Sequence, residues 1–298
     1  VTVQLMNFEA MWGLTGTLAE RLQGIKDRGY DGVEAGLPEF MARLGDIETR
    51  EVADFRHILD DLELAYIPMI FTYEPEFADR WGGMEIESSA THAVTFQQQV
   101  EAAAAYAPMQ MTAHSGSDAM TLSEALAFFE AALAVESDVG IPIGHETHRM
   151  RILYSPFVWR EIHQELPDLR TVADISHWVN VCERIPDDLE DLFLSCTAAA
   201  IHIHGRVGHP EGPQVSDPRA PEHLHLVEWH ERWWRSVLTD ALESGSEIVT
   251  FDPEYGPPPY MSTLPYTGAP VAALEEVRLW ARERIGIVLS ELQQALSS

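Results

Sequence analysis

At 298 residues and 46% hydrophobic content, the chain is long enough for one large (β/α) barrel, and no apolar run approaches the roughly 18 residues that a bilayer-crossing helix needs. A formal charge of −29, from 48 acidic against 19 basic residues, repels phosphodiester backbones and disfavours a nucleic-acid partner. Cys182 and Cys196 are too few for a disulfide framework or a thiolate metal cage, and the only lysine, Lys26, falls on the outer side of an amphipathic pattern, which disfavours Schiff-base and pyridoxal-phosphate chemistry.

The start Val1-Thr-Val-Gln-Leu5 lacks the basic n-region of a secretory signal, so a reducing cytoplasm is the expected compartment. Residues Val3 to Phe8 read as a first strand. Thr17-Leu-Ala-Glu20 is a capping box that opens a helix with Leu18, Leu22 and Ile25 on one face, stopped at Gly29. Asp31 to Ala35 is a short second strand, followed by a helix from Glu51 to Leu62. Ala65 to Tyr73 is a third strand, Ala90 to Ala107 a helix, and Met109 to His114 a fourth strand. A second capping box, Thr121-Leu-Ser-Glu124, starts a helix running to about Ser137.

The rhythm continues with strand Ile141 to Glu146, and then Ser155 as N-cap with Pro156 at the first helical position. The run Thr171-Val-Ala-Asp-Ile-Ser-His-Trp178 reads as a sixth strand ending at Asp174, with a turn that swings His177 back over the same point. A short helix after Pro186 leads to strand Ala200 to His204. A Gly- and Pro-rich loop from Gly205 to Pro221, a helix from Trp229 to Leu242, strand Ile248 to Glu254, a loop at Pro257 to Tyr260 and a last helix from Val271 to Leu296 complete the chain. Eight strand-then-helix units without a linker predict an α/β fold, a single-domain (β/α)₈ TIM barrel over residues 1–298. A doubly wound sheet is the rival, but Met11-Trp-Gly-Leu-Thr-Gly16 is a poor phosphate turn.

In such a barrel, Glu146, Asp174, His204 and Glu254 converge from four adjacent strand ends. Three carboxylates and an imidazole make an oxygen-rich shell for one divalent ion. Mn²⁺ or Mg²⁺ is favoured, with Zn²⁺, Co²⁺ or Fe²⁺ also able to enter. His202 shares the inward face with His204 but lies deeper, where a hydrogen bond within the core or to a ligand is the better role. Arg206 continues that face toward a substrate oxygen, His114 and His209 are further pocket candidates, and Trp12, Trp178 and Tyr255 offer apolar walls for a sugar ring.

The order of Glu at strand five, Asp-x-x-His at strand six, His-x-His at strand seven and Pro-Glu-Tyr-Gly at strand eight resembles the xylose isomerase-like barrel superfamily, which includes ketose 3-epimerases, hydroxypyruvate isomerase, inosose dehydratase and endonuclease IV. The segment Gly29-Tyr-Asp-Gly-Val-Glu34 resembles that superfamily's entry into strand two. The resemblance implies that Glu146, Asp174, His204 and Glu254 hold one divalent metal and that His177 meets a substrate oxygen. It also shows departures. Pro210 stands where ketose 3-epimerases usually carry an arginine, with Arg206 the nearest substitute, and Ile70-Phe-Thr-Tyr73 lacks the strand-three histidine of endonuclease IV.

The expected activity is a metal-dependent isomerisation or epimerisation of a small ketose, polyol or keto-sugar through an enediolate, with Glu146 and Glu254 as the acid/base pair. The alternatives are a lyase or hydrolase acting on a keto-inositol or oxidised glycoside at the same site, and a metal- and sugar-binding barrel without turnover. The expected partner is a small carbohydrate, with no nucleic acid and no membrane; homo-oligomerisation is open.

Overall fold

A computed structural model describes residues 3–72 and 89–297. Its eight parallel strands pair in chain order: β1 (Gln4–Ala10), β2 (Gly32–Gly36), β3 (Ala65–Phe71), β4 (Met111–His114), β5 (Ile143–Glu146), β6 (Thr171–Ala173), β7 (Ala200–His204) and β8 (Ile248–Asp252). Strand β8 returns to pair with β1, Gln4 opposite Ile248, which closes the barrel and removes the doubly wound alternative. Around it stand α1 (Leu18–Asp27), α2 (Pro38–Leu44), α3 (Phe55–Leu62), α4 (Ser89–Ala104), α5 (Leu122–Val139), α6 (Pro156–Glu165), α7 (Ile175–Cys182), α8 (Glu190–Ala198), α9 (Leu224–Ser244) and α10 (Leu274–Ser297). No helix among the described residues is long and apolar enough to cross a membrane.

Local chemistry sets many of these boundaries. Both capping boxes form, at Thr17 with Glu20 and at Thr121 with Glu124, and Ser155 accepts from the Phe157 N–H ahead of a helix that starts on Pro156. Lys26 lies on the outer surface, its Nζ 3.5 Å from the Glu63 carbonyl. Apolar faces pack against the outside of the barrel, with Trp159, Trp178, Phe193, Trp233 and Trp234 in one layer and Leu18, Leu22, Ile25 and Phe55 in another.

Several expected boundaries are corrected. Strand β6 ends at Ala173, and Asp174 caps α7 by accepting from the Ser176 N–H, so His177 sits on a helix rather than in a turn. The side chains of Ile175, Trp178 and Val179 are buried by the helix, so an apolar run that reads as strand is satisfied by a buried helical turn. Strand β8 stops at Asp252, two residues before Glu254. A separate α2 opens at Pro38, which the sequence reading passes over, and the helix expected from Glu51 begins at Phe55 after a 3₁₀ turn at Thr49–Glu51. Tyr73, expected to end strand three, lies outside the described residues.

The barrel interior holds a polar network. Glu34 on β2 reaches across to β7, where His202 Nε2 is 2.9 Å and His204 Nε2 3.1 Å from its Oε2, and the Thr112 hydroxyl donates to its other oxygen. His202 Nδ1 meets Thr250 Oγ1 at 2.6 Å. Burial pushes the Glu34 carboxyl up, but His204 and His202 outweigh it and hold it well below the usual carboxylate range.

Outside the barrel, His230 on α9 accepts from the Gly208 N–H (3.1 Å) and donates from Nδ1 to the Leu226 carbonyl (2.8 Å), and burial pushes its pKa from 6.5 down to about 4. The unfolded chain therefore takes up a proton that the folded chain refuses. Stability is fully present above pH 6.5 and falls as pH drops toward 4, by about 3 kcal/mol from this ring at about 1.4 kcal/mol per unit. His230→Gln is expected to flatten that part of a stability-versus-pH curve by one proton. An unchanged slope would show that the ring titrates normally.

Candidate metal centre

The four strand-end residues meet. One potential ligand atom each from Glu146, Asp174, His204 and Glu254 lies within 4.8 Å of the others, and all four side chains are buried. Their chain positions explain the convergence: Glu146 and His204 are the last residues of β5 and β7, Asp174 follows β6 directly, and Glu254 follows β8 after Pro253. Gly205 lets the chain turn off β7 beside β8. Its N–H donates to the Asp252 carbonyl at 2.7 Å, and an added Cβ would lie 1.9 Å from the Phe251 ring.

His204 Nδ1 lies 3.1 Å from Glu146 Oε1 and 3.3 Å from Glu254 Oε2, while its Nε2 faces Glu34. With Nε2–H donated to Glu34, Nδ1 points among the carboxylates. Arg206, 1% exposed, completes the wall: Nη2 contacts Asp174, lies 3.3 Å from Glu254 Oε2 and 2.8 Å from His177 Nε2, and Nη1 donates to the Glu254 carbonyl at 3.3 Å. His177 also faces Asp174 Oδ2 at 3.5 Å. His114 Nδ1 lies 3.0 Å from Glu146 Oε2, and the His148 ring bridges His114 and His177 at centroid distances of 5.2 and 3.9 Å.

The charge balance is lopsided. Burial pushes Glu146 up to about 7 with Glu254 adding to the push, and burial followed by Glu34 holds Asp252 well above its usual range. Burial also works against ionised Glu254, but His204 and Arg206 outweigh it and bring that carboxyl down to about 2. Glu146 Oε2 and Glu254 Oε2 are buried and make no aligned hydrogen bond, with His114 Nδ1 beside the first and Arg206 Nη2 beside the second at ion-pair distance. Burial works against a charged His204 imidazole, but the surrounding carboxylates outweigh it and hold its pKa well above the usual range. A cation entering among the three carboxylates would therefore take the place of its Nδ1 proton, and the set fits a divalent ion by donor type and spacing.

Other expected pocket residues land elsewhere. Trp178 is corrected: fully buried, it packs edge-on against Phe193 and spends its indole N–H on the Leu153 carbonyl, because α7 turns that face into the outer core. Tyr255 is likewise buried, its hydroxyl accepting from the Val207 N–H. Trp12 remains partly exposed and packs edge-on against Tyr260 at 4.9 Å, and His209 closes a turn with Gly212. Glu34, His148 and Tyr260 also reach the site, although no motif in the sequence marks them for it. A carboxylate between Val33 and Ala35 in a short buried strand, and a histidine two residues past Glu146, are the signals that were available.

No protein-family model and no curated protein matches the chain. Solved structures do. A D-tagatose 3-epimerase-like protein superposes at TM-score 0.61 with 12% identity, over 98% of this chain and 99% of its own. A xylose isomerase domain protein from Alicyclobacillus acidocaldarius superposes at TM-score 0.55 with 14% identity over 96% and 99%. The chain shares their closed eight-stranded TIM-barrel fold. The same barrel is found in a probable 3-DHS dehydratase from Bacillus anthracis, at TM-score 0.52 and 14% identity over 84% of this chain and 92% of that one. At such identities the likeness of this barrel to its neighbours is one of fold, and function has to be argued from the site.

Proposed function

We propose that the chain is a divalent-metal-dependent isomerase or epimerase of a small ketose, polyol or keto-sugar that works through an enediolate. The observation that carries this reading is the meeting of four potential ligand atoms, from three carboxylates and one imidazole, within 4.8 Å of one another at the buried rim of the barrel. Glu146, Asp174, Glu254 and Nδ1 of His204 would hold the ion. Mn²⁺ or Mg²⁺ is favoured by the oxygen-rich set. The cation, when bound, polarises a substrate carbonyl and stabilises the negative charge that develops beside it. Glu146 and Glu254 approach the same point from β5 and from beyond β8, so one takes the proton from the substrate carbon while the other delivers its own. His177 and Arg206, in mutual contact, orient a substrate oxygen, and His114 beside Glu146 borders the pocket.

In this reading Glu34 is a positioning residue that holds His204 with Nδ1 facing the ion. Glu34→Gln is expected to weaken Mn²⁺ affinity about 10- to 100-fold, measured by calorimetric titration. An unchanged affinity would remove the assigned tautomer.

The enediolate also permits loss of a β-substituent, and a probable dehydratase among the structural neighbours favours dehydration as the second reading. Incubating metal-loaded protein with panels of ketoses and keto-inositols separates the two. A product of unchanged mass and altered stereochemistry or carbonyl position supports isomerisation, whereas loss of water or an aglycone supports the lyase. Absence of any product or proton exchange across both panels would leave a binding barrel and overturn both enzymatic readings.

A further inference from the structure

Most of the described arginines are neutralised by carboxylates, as befits a chain with 48 acidic residues; Arg149 is not. Its partners are the Asn180 side-chain oxygen, 3.4 Å from Nη1, and Tyr260, over whose ring its Cζ stands at 5.2 Å. Its Nε is buried with no hydrogen-bond partner. Among the described residues no carboxylate lies within ion-pairing distance of this guanidinium.

Its position ties it to the candidate centre. Arg206, which touches Asp174 and Glu254, stands over the same Tyr260 ring, also at 5.2 Å, so one aromatic ring links Arg149 to the carboxylates of the candidate centre. Arg149 is also among the charges that add to burial in depressing the His177 imidazole. It is presented three residues after Glu146 by a turn in which the Arg151 N–H donates to the His148 carbonyl and Met150 adopts φ 68°, a left-handed conformation sparsely populated by non-glycine residues. A guanidinium held there against the ring offers a fork that matches a carboxylate better than it matches a hydroxyl.

We propose that the substrate of this site carries a carboxylate, an acidic keto-sugar rather than a neutral one, and that Arg149 binds it. The proposal rests on the metal-dependent reading above and adds the class of its substrate. A carboxylate suits the site better than a phosphate, because one fork answers one negative charge, and a phosphate dianion in a protein of charge −29 would need several more cations.

The test uses the full chain loaded with Mn²⁺ and pairs of ligands that differ only by oxidation at C6: D-fructose against D-fructuronate, and D-tagatose against D-tagaturonate. The acid of at least one pair is expected to bind about tenfold or more tightly than its neutral partner, with a preference that shrinks as salt is added. Arg149→Gln is expected to bring the pair close to parity and Arg149→Lys to keep part of the preference, with Mn²⁺ stoichiometry read in parallel to confirm an intact centre. Equal affinities in both pairs with Mn²⁺ bound, a preference indifferent to Arg149→Gln, or tighter binding of D-fructose 6-phosphate than of either acid would overturn the carboxylate proposal and leave the metal-dependent reading standing. Failure to bind Mn²⁺ would instead remove that underlying reading, and this proposal with it.

Discussion

Asp174→Ala is expected to abolish metal-dependent stabilisation of the fold. Three carboxylates buried within 4.8 Å of one another repel strongly, and among the described residues Arg206 is the one permanently charged cation touching them. A divalent ion that binds the folded chain and not the unfolded one stabilises it by about 4 kcal/mol at roughly a thousandfold excess over its Kd. Purified protein is therefore expected to carry close to one divalent ion per chain and to melt several degrees lower after chelation, and Asp174→Ala to show neither effect. Because Asp174 also caps α7 through Ser176, Asp174→Asn provides the control: its amide oxygen keeps the cap while the charge at the centre is lost. A wild-type melting temperature indifferent to Mn²⁺, Mg²⁺, Zn²⁺ and chelator would sink the metal centre and the isomerase reading together.

The second large effect is on chemistry. Glu254→Gln keeps a side-chain oxygen for the ion and removes the proton acceptor, so exchange of the substrate's carbon-bound hydrogen with solvent is expected to fall by roughly 10²- to 10⁴-fold while the metal stays bound. The measurement is isotope exchange at substrate carbon alongside metal content. Turnover equal to wild type would take the base role away from Glu254; loss of metal in the variant would assign the loss to binding. Glu146→Gln should behave similarly, because one carboxylate accepts the proton leaving the substrate carbon and the other, already protonated, delivers its own to that enediolate.

The sequence carried the barrel because its signals are local. Capping boxes at Thr17 and Thr121, Ser155-Pro156 at a helix start and polar residues at the ends of short apolar runs each act within a few residues, and eight repeats of that rhythm leave little choice of architecture. Glu146, Asp174, His204 and Glu254 were legible as candidates for the same reason, since strand ends in a barrel share one rim. The run around Asp174 departs from its expected strand. Thr171 to Trp178 is apolar enough for a strand or a buried helix, and only the packing of Trp178 against Phe193 and Leu153 decides for the helix.

What the chain could not disclose by itself is contact across the barrel. Glu34 meets His202 and His204 from more than 160 residues away, a pairing created by closure of β8 onto β1 rather than by any spacing in the sequence. Arg149 and Arg206 come to share the Tyr260 ring through loops whose paths no periodicity encodes. Residue type and strand order determined which groups stand on the rim. Which carboxylate each nitrogen of His204 faces, and that Arg149 pairs with no carboxylate among the described residues, were decided only when the folded barrel fixed who neutralises whom in a space closed to water.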